Sequence, residues 1–161
     1  MPVEIRQAQL RDATGIARIA NSMIRETLFT FTTQERRPEE IALRLREDPR
    51  PFLVAELDGR LLGFATYGDF RTGPGYRHTQ EHSIQLLPDA QGHGLGRALM
   101  AKLEDAARAR EVHVLVAGIS SANPKAVGFH SAIGFTQTGL MPQVGRKWDQ
   151  WLDLILMQKQ L

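Results

Sequence analysis

A mixed α/β fold, with one central sheet and helices on both of its faces, is the architecture this sequence predicts. Three observations carry the prediction. Strand-like apolar runs alternate with helix-like segments along the whole chain. Asp58-Gly59 sits between two of the runs, a two-residue hairpin signal that makes those strands antiparallel neighbours. At other points helical segments separate consecutive strands, as a crossover requires. The predicted order is β-α-α-β-β-β-α-β-α-β-β. With 161 residues the chain can bury a sizeable core. No linker or repeat divides it, so residues 1–161 read as a single domain.

The elements follow in order. Residues 3–6 alternate apolar and polar, a short first strand. Asp12 is placed to cap the helix after it. On that helix Ile16, Ile19, Ala20, Met23 and Ile24 recur at three and four, which buries one face. The aromatic and β-branched residues at 27–33 break the helical pattern and suit a loop folding over a pocket; equally, Phe29 and Phe31 suit core plugs. Pro38 opens a second helix. Residues 52–57 and 60–67 are the hairpin strands. A loop at 68–79 leads to a strand at 80–87.

Next comes Gln91-Gly92-His93-Gly94-Leu95-Gly96-Arg97, followed by a helix to about residue 108. A strand at 112–118 and a helix opened by Asn123-Pro124 and closed by Gly134 come after it. Strands then start at 135 and 151, with residues 141–150 read as a loop between them because they contain Pro142 and Gly145.

Composition excludes several functions. The 20 basic and 18 acidic residues nearly cancel, which argues against a nucleic-acid-coating surface. The absence of cysteine rules out disulfides, thiolate metal sites and a cysteine nucleophile. No apolar run approaches the ~18 residues of a membrane span, and the first ten residues lack a secretory pattern. A cytoplasmic protein with no membrane partner is the expectation. His93 and His113 have no further ligands near them in sequence, so no metal is expected.

The glycine turn carries the chemistry. A strand, a glycine loop and a helix start together aim free backbone N–H groups at an anion. A Walker A loop needs Gly-Lys-Ser/Thr, which is absent. The dinucleotide fingerprint G-x-G-x-x-G is not matched by G-x-G-x-G. An acyl-coenzyme A pyrophosphate turn, Q/R-x-x-G-x-G/A, is matched from Gln91 to Gly96 at every fixed position. An ordinary glycine-rich strand-to-helix turn is the bland alternative.

The flanks weigh against that alternative. The turn, Asn123-Pro124, and residues 129–135 (Phe-His-Ser-Ala-Ile-Gly-Phe) together resemble the GCN5-related N-acetyltransferase (GNAT) superfamily, over the whole chain. Within it the chain is most similar to the phosphinothricin and methionine sulfoximine/sulfone N-acetyltransferases. That similarity rests on residues 67–71 (Tyr-Gly-Asp-Phe-Arg), Glu81-His82-Ser83, residues 113–119, residues 141–145 and Trp151-Leu152-Asp153-Leu154.

The resemblance implies a mixed, mostly antiparallel sheet and an acetyl-CoA-dependent transfer to the α-amino group of a small amino-acid-like substrate. It implies Glu81 as general base, acting through a water. The backbone of Ile84, Gln85 and Leu86 would pair with the pantetheine arm. Gln91, Gly92, His93, Gly94, Leu95, Gly96 and Arg97 would hold the pyrophosphate, with Asn123 contacting the coenzyme from the next helix. Many superfamily members carry a tyrosine as proton source where this chain has His130, so His130 is either an acid or a packed helix histidine. Substrate contacts are implied at Phe31, Arg71, Thr72, Gly73, Glu81, His82 and Ser83, with Arg71 gripping a carboxylate through two hydrogen bonds and Arg77 a second candidate. Where this chain has Phe31 the close family often has tryptophan. A homodimer is implied, with residues 141–148 near the interface. The other readings are an acetyltransferase for another small amine or a protein N-terminus, and a non-catalytic acyl-CoA-binding module.

Overall fold

Alternation along two central strands decides how the layers stack. The computed structural model describes residues 2–161. In β2 (Phe52–Leu57), Phe52 and Val54 point to one side of the sheet, and Leu53 and Ala55 to the other. β2 is buried on both faces, so the pattern reads as a continuous apolar run.

One face meets α1 (Ala13–Glu26) and α2 (Pro38–Glu47), whose Ile16, Ile19, Ala20 and Ile41 join Phe52, Val54 and Phe64 in one cluster. The opposite face meets α3 (Leu95–Ala109), whose Leu99, Met100, Leu103 and Ala107 are buried against Leu53, Ala55 and Ala65. Partly buried Ala126, Val127 and Phe129 of α4 (Pro124–Ala132) pack on that second cluster.

With β1 (Glu4–Gln7), β3 (Arg60–Asp69), β4 (Thr79–Leu86), β5 (Val114–Ser120), β6 (Thr136–Lys147) and β7 (Gln150–Gln160), the chain follows the predicted element order. The strands form one sheet in the order β1-β2-β3-β4-β5-β7-β6. Every pairing is antiparallel except β4–β5.

That one parallel pairing builds the site. It spans only Thr79↔Val114, Gln80↔Leu115 and Glu81↔Val116. Beyond Glu81, β4 keeps β3 on one side, and β5 keeps β7, but the two no longer pair with each other. The sheet opens there into a cleft.

Two expectations are corrected. Residues 141–147 are strand, not loop: β6 runs to Lys147 against β7, and Pro142 lies in the irregular stretch between Met141 and Gly145. Edge strands tolerate proline at such bulges. The turn is Trp148-Asp149, both at positive φ, a geometry that suits Asp149 but that Trp148 does not advertise. Asp12 does not cap α1. Its carboxylate accepts from the Gln9 N–H at 2.7 Å and from two Arg6 nitrogens at 2.8 and 3.0 Å, closing the short turn before the helix. Among the described residues, no helix is long and apolar enough to cross a membrane.

Candidate active site

Glu81 is the last residue of the β4–β5 pairing and faces the cleft. A cavity of about 290 Å³ opens beside it. Its walls are the separated ends of β4 and β5, Phe29, Thr30 and Phe31 of the segment after α1, Leu154 of β7, and the start of α4. Among the described lining residues Glu81 is the only charged one. It has no hydrogen-bond or ion-pair partner among the described residues, and burial pushes its carboxyl above the usual carboxylate range. An unpaired carboxylate with a raised pKa beside a cavity is a stronger base than an ordinary surface carboxylate.

Gly118 on β5 makes room for it. A Cβ at Gly118 would lie 2.9 Å from Glu81 Oε2 and 3.4 Å from a Leu154 methyl. Gly118→Ala is therefore expected to displace the carboxylate and lower kcat roughly tenfold at unchanged acetyl-CoA KM, because small misplacements of a reacting group are costly; steady-state kinetics with each substrate varied checks this.

The far end of β4 leads into the glycine turn. Gly92 and Gly94 sit at φ +81° and +75°, and a Cβ on either would meet nothing within 4 Å, so the space before the turn is open. Gly94 is the N-cap of α3 and makes no side-chain cap, which leaves the first N–H groups of a 15-residue helix facing outward. Gly96 packs against Phe129, where a Cβ would come within 3.1 Å of the ring. The Leu95 side chain is buried in the core, so only its backbone can serve a ligand; Gln91, His93 and Arg97 are exposed around it. Asn123 caps α4 by accepting from the Ala126 N–H at 3.3 Å, and it also lines the cavity. These features fit a pyrophosphate at the turn and an extended amide-bearing chain along the unpaired β4 edge from Ile84 to Leu86.

His130 is buried and both of its ring nitrogens are engaged. Nδ1 lies 2.7 Å from the Ala126 carbonyl, and Nε2 lies 2.9 Å from His82 Nε2. Because a carbonyl only accepts, Nδ1 carries the proton, and the neutral ring's Nε2 accepts the N–H of His82. Burial, helped by the neighbouring His130, pushes His82 down to about 3, and burial also lowers His130. Both rings are thus neutral at pH 7, and in this arrangement both His130 ring nitrogens are engaged. His82 itself is buried while lining the cavity.

The remaining candidates divide by place. Phe31, Glu81, His82, Ser83, Ile84, Gln85 and His130 line the cavity. Arg71, Thr72 and Gly73 do not; they are exposed, with the Arg71 guanidinium 5.7 Å from the Tyr76 ring centre. Gly68 pairs with Glu81, however, so the loop carrying Arg71 leaves β3 at the level of the cleft. Gly118, Leu154, Met23 and Ser120 are not legible in the sequence as site residues, since each joins the cavity by strand or helix packing rather than by a local motif. A second cavity of about 200 Å³ lies under α1 and α2, sharing Thr30, Ser83 and Gln85 with the first and lined also by Arg36 and Arg44. Among the described residues no three histidine or acidic side chains gather as a metal site.

A splayed parallel pair, a carboxylate at the splay and a glycine turn at a helix start are compatible with an acyl-CoA-dependent transferase, the class that the family match shows. The model of the acetyltransferase (GNAT) family matches residues 16–135, and the chain belongs to that family, whose acetyltransferases use acetyl-CoA. It is similar to L-amino acid N-acyltransferase MnaT of Escherichia coli (strain K12), 42% identical over 99% of this chain and 94% of the relative. It is also 40% identical to the L-methionine sulfoximine/L-methionine sulfone acetyltransferase of Pseudomonas aeruginosa, covering 100% of this chain and 96% of that one. The crystal structure of a phosphinothricin acetyltransferase from Sinorhizobium meliloti in complex with acetyl-CoA matches with a TM-score of 0.93 at 32% identity, over 100% of this chain and 89% of that one.

Proposed function

We propose that this acetyltransferase moves an acetyl group from acetyl-CoA to the α-amino group of a small amino-acid-like acceptor of the methionine sulfoximine, methionine sulfone or phosphinothricin type. The observation that carries the reading is Glu81, unpaired and raised in pKa, at the point where β4 and β5 part above the glycine turn. The relatives' names supply the acceptor class.

An α-ammonium with a pKa near 8 (about 7.7–8.0) is mostly protonated at neutral pH. Glu81 takes one of its protons, directly or through a water, and frees the nitrogen lone pair. Bound acetyl-CoA supplies the acetyl group and leaves as the free thiol. Backbone N–H groups on the unpaired β4 edge polarise the acetyl carbonyl. The nitrogen–carbon bond forms as the carbon–sulfur bond breaks, and the nitrogen's surplus proton passes to the departing sulfur. Protons therefore balance without a separate acid, which agrees with the engagement of both His130 ring nitrogens. Gly92 through Arg97 hold the pyrophosphate and fix the thioester relative to Glu81.

The cavity wall has no cation, so the acceptor's carboxylate is met at the mouth, and Arg71 is the proposed clamp. Arg71→Ala is expected to raise the acceptor KM roughly ten- to a hundredfold, the value of a charged hydrogen-bond pair. Arg36→Ala serves as the comparison: if it has the larger effect, the clamp lies in the second cavity. The reading as a whole is tested by thiol release from acetyl-CoA with methionine sulfoximine, methionine sulfone, phosphinothricin, polyamines and peptides; turnover confined to peptides or polyamines would reject the acceptor class.

We further propose a homodimer. Leu140, Met141, Val144 and Trp151 are all exposed on the edge hairpin β6–β7, an apolar surface suited to a second copy. Trp151→Glu should shift the sedimentation coefficient to that of a monomer.

A further inference from the structure

β6 is remote from both the glycine turn and Glu81 in the sheet order, yet two of its residues, Gly145 and Lys147, touch residues that line the cavity. Lys147 is only 2% exposed. Its Nζ donates to the carbonyls of Ile24 at 2.8 Å, Thr27 at 2.7 Å and Thr30 at 3.1 Å, and lies 3.1 Å from Thr30 Oγ1. Three N–H groups thus serve four oxygens. No carboxylate neutralises the charge among the described residues.

Ile24 lies in the last turn of α1 and Thr27 is its C-cap, so the ammonium sits where the helix end is most negative. The same ammonium holds the backbone and hydroxyl of Thr30, which lines both cavities. Gly145, two residues earlier and on the same side of β6, receives the ring of Phe31: a Cβ there would lie 2.5 Å from two ring carbons. From the other flank, Ser120 Oγ donates to the Leu28 carbonyl at 2.7 Å. The segment between α1 and α2 has few backbone bonds of its own near residues 28–31, so these outside anchors hold it.

We propose that Lys147 is a positioning residue that sets acceptor selectivity: its buried ammonium, with the Gly145 slot, fixes the wall formed by Phe29, Thr30 and Phe31 and keeps the two cavities apart at Thr30. The acceptor class rests on the function proposed above; the anchoring does not. A burial-only role would be met as well by an apolar side chain of similar volume, since removing a buried charge in favour of packing is often neutral for stability. The wall's carbonyls need a donor, and Lys147 supplies it.

The test compares the wild-type protein with Lys147→Met, Lys147→Cys and Gly145→Ala. Lys147→Met is expected to lower kcat/KM for methionine sulfone roughly ten- to a hundredfold, mainly through KM, with acetyl-CoA KM within about twofold of wild type and the preference among acceptors flattened. The protein has no native cysteine, so Lys147→Cys can be aminoethylated at that one thiol in the unfolded chain and refolded. Restoring the ammonium should restore acceptor KM and selectivity. Gly145→Ala keeps the ammonium but displaces Phe31. It should raise acceptor KM in the same way, and Phe31→Leu should partly reverse it; this variant decides the matter if Lys147→Met does not fold. Unchanged acceptor KM, or equal loss toward both substrates with no change in selectivity, overturns the proposal. If wild type acetylates no amine, the function reading fails instead, and the anchoring is judged by amide hydrogen exchange at residues 28–33. Faster exchange in Lys147→Met supports it and unchanged protection overturns it.

Discussion

Glu81→Gln is expected to lower kcat by about 10²- to 10⁴-fold, the usual contribution of a positioned general base, with the acetyl-CoA KM nearly unchanged. Glutamine keeps the size of the side chain and removes its proton affinity. The proposed coenzyme contacts lie further along β4 and at the glycine turn, so the substitution should leave them undisturbed. The pH profile gives the sharper readout. Burial raises the Glu81 pKa, so its ionised fraction, and with it the wild-type rate, climbs with pH across a window above the ordinary carboxylate range. The variant should lose that limb, keeping only the dependence of the acceptor's own ammonium.

Stability moves the opposite way. With a folded-state pKa above the unfolded one, the native protein holds more protons across that window, so Glu81 makes the fold less stable as pH rises through it. Glu81→Gln should therefore be at least as stable as wild type at neutral pH. A variant that unfolds at lower temperature, or that keeps the wild-type pH limb, would remove Glu81 from the role of base.

Gly63→Ala is expected to cost about 1–3 kcal/mol through overpacking and to weaken acetyl-CoA together with stability. Gly63 pairs with Leu86 in β4. A Cβ there would clash with a Leu86 methyl and would stand 2.7 Å from the Gln85 carbonyl oxygen. The oxygen is backbone in a paired strand, so relief requires β4 itself to move. Gln85 and Leu86 belong to the stretch of β4 that has no β5 partner and is proposed to pair with the coenzyme. Thermal melting should show a lower Tm by several degrees, at about 2–4 °C per kcal/mol for a chain of this length, and the acetyl-CoA KM should rise. Adding a saturating concentration of acetyl-CoA should stabilise the variant less than wild type, by linkage. Equal stabilisation would mean that β4 had absorbed the methyl without shifting.

The two variants probe different levels of legibility. Glu81 is singled out in the sequence only through the family resemblance, its position alone reading as an ordinary strand-end glutamate, and the structure sets it at the splay. Gly63 looks like an ordinary strand residue, because its tight contact is with a strand 23 positions later at Leu86, a separation that only the β3–β4 register defines. The same holds for Gly118, whose empty side is filled by the Glu81 carboxylate. The error at residues 141–147 has the reverse cause. Proline and glycine suggest a loop locally, and pairing with β7 overrides them. His130 stands out for its imidazole, while its access depends on His82, 48 positions away.

By itself the sequence determined the order of the elements, the two-sided burial of the central strands and the glycine turn at the start of α3. Each is written in residues near one another, as periodicity, a hairpin pair or a glycine spacing. Only the tertiary structure decided where β4 and β5 separate, what engages the nitrogens of His130, and what holds the acceptor wall. Lys147 and Ile24 are 123 positions apart, and nothing local to either announces their 2.8 Å contact. Chain periodicity specifies which face a side chain takes; which partner it finds there is set by how the folded layers meet.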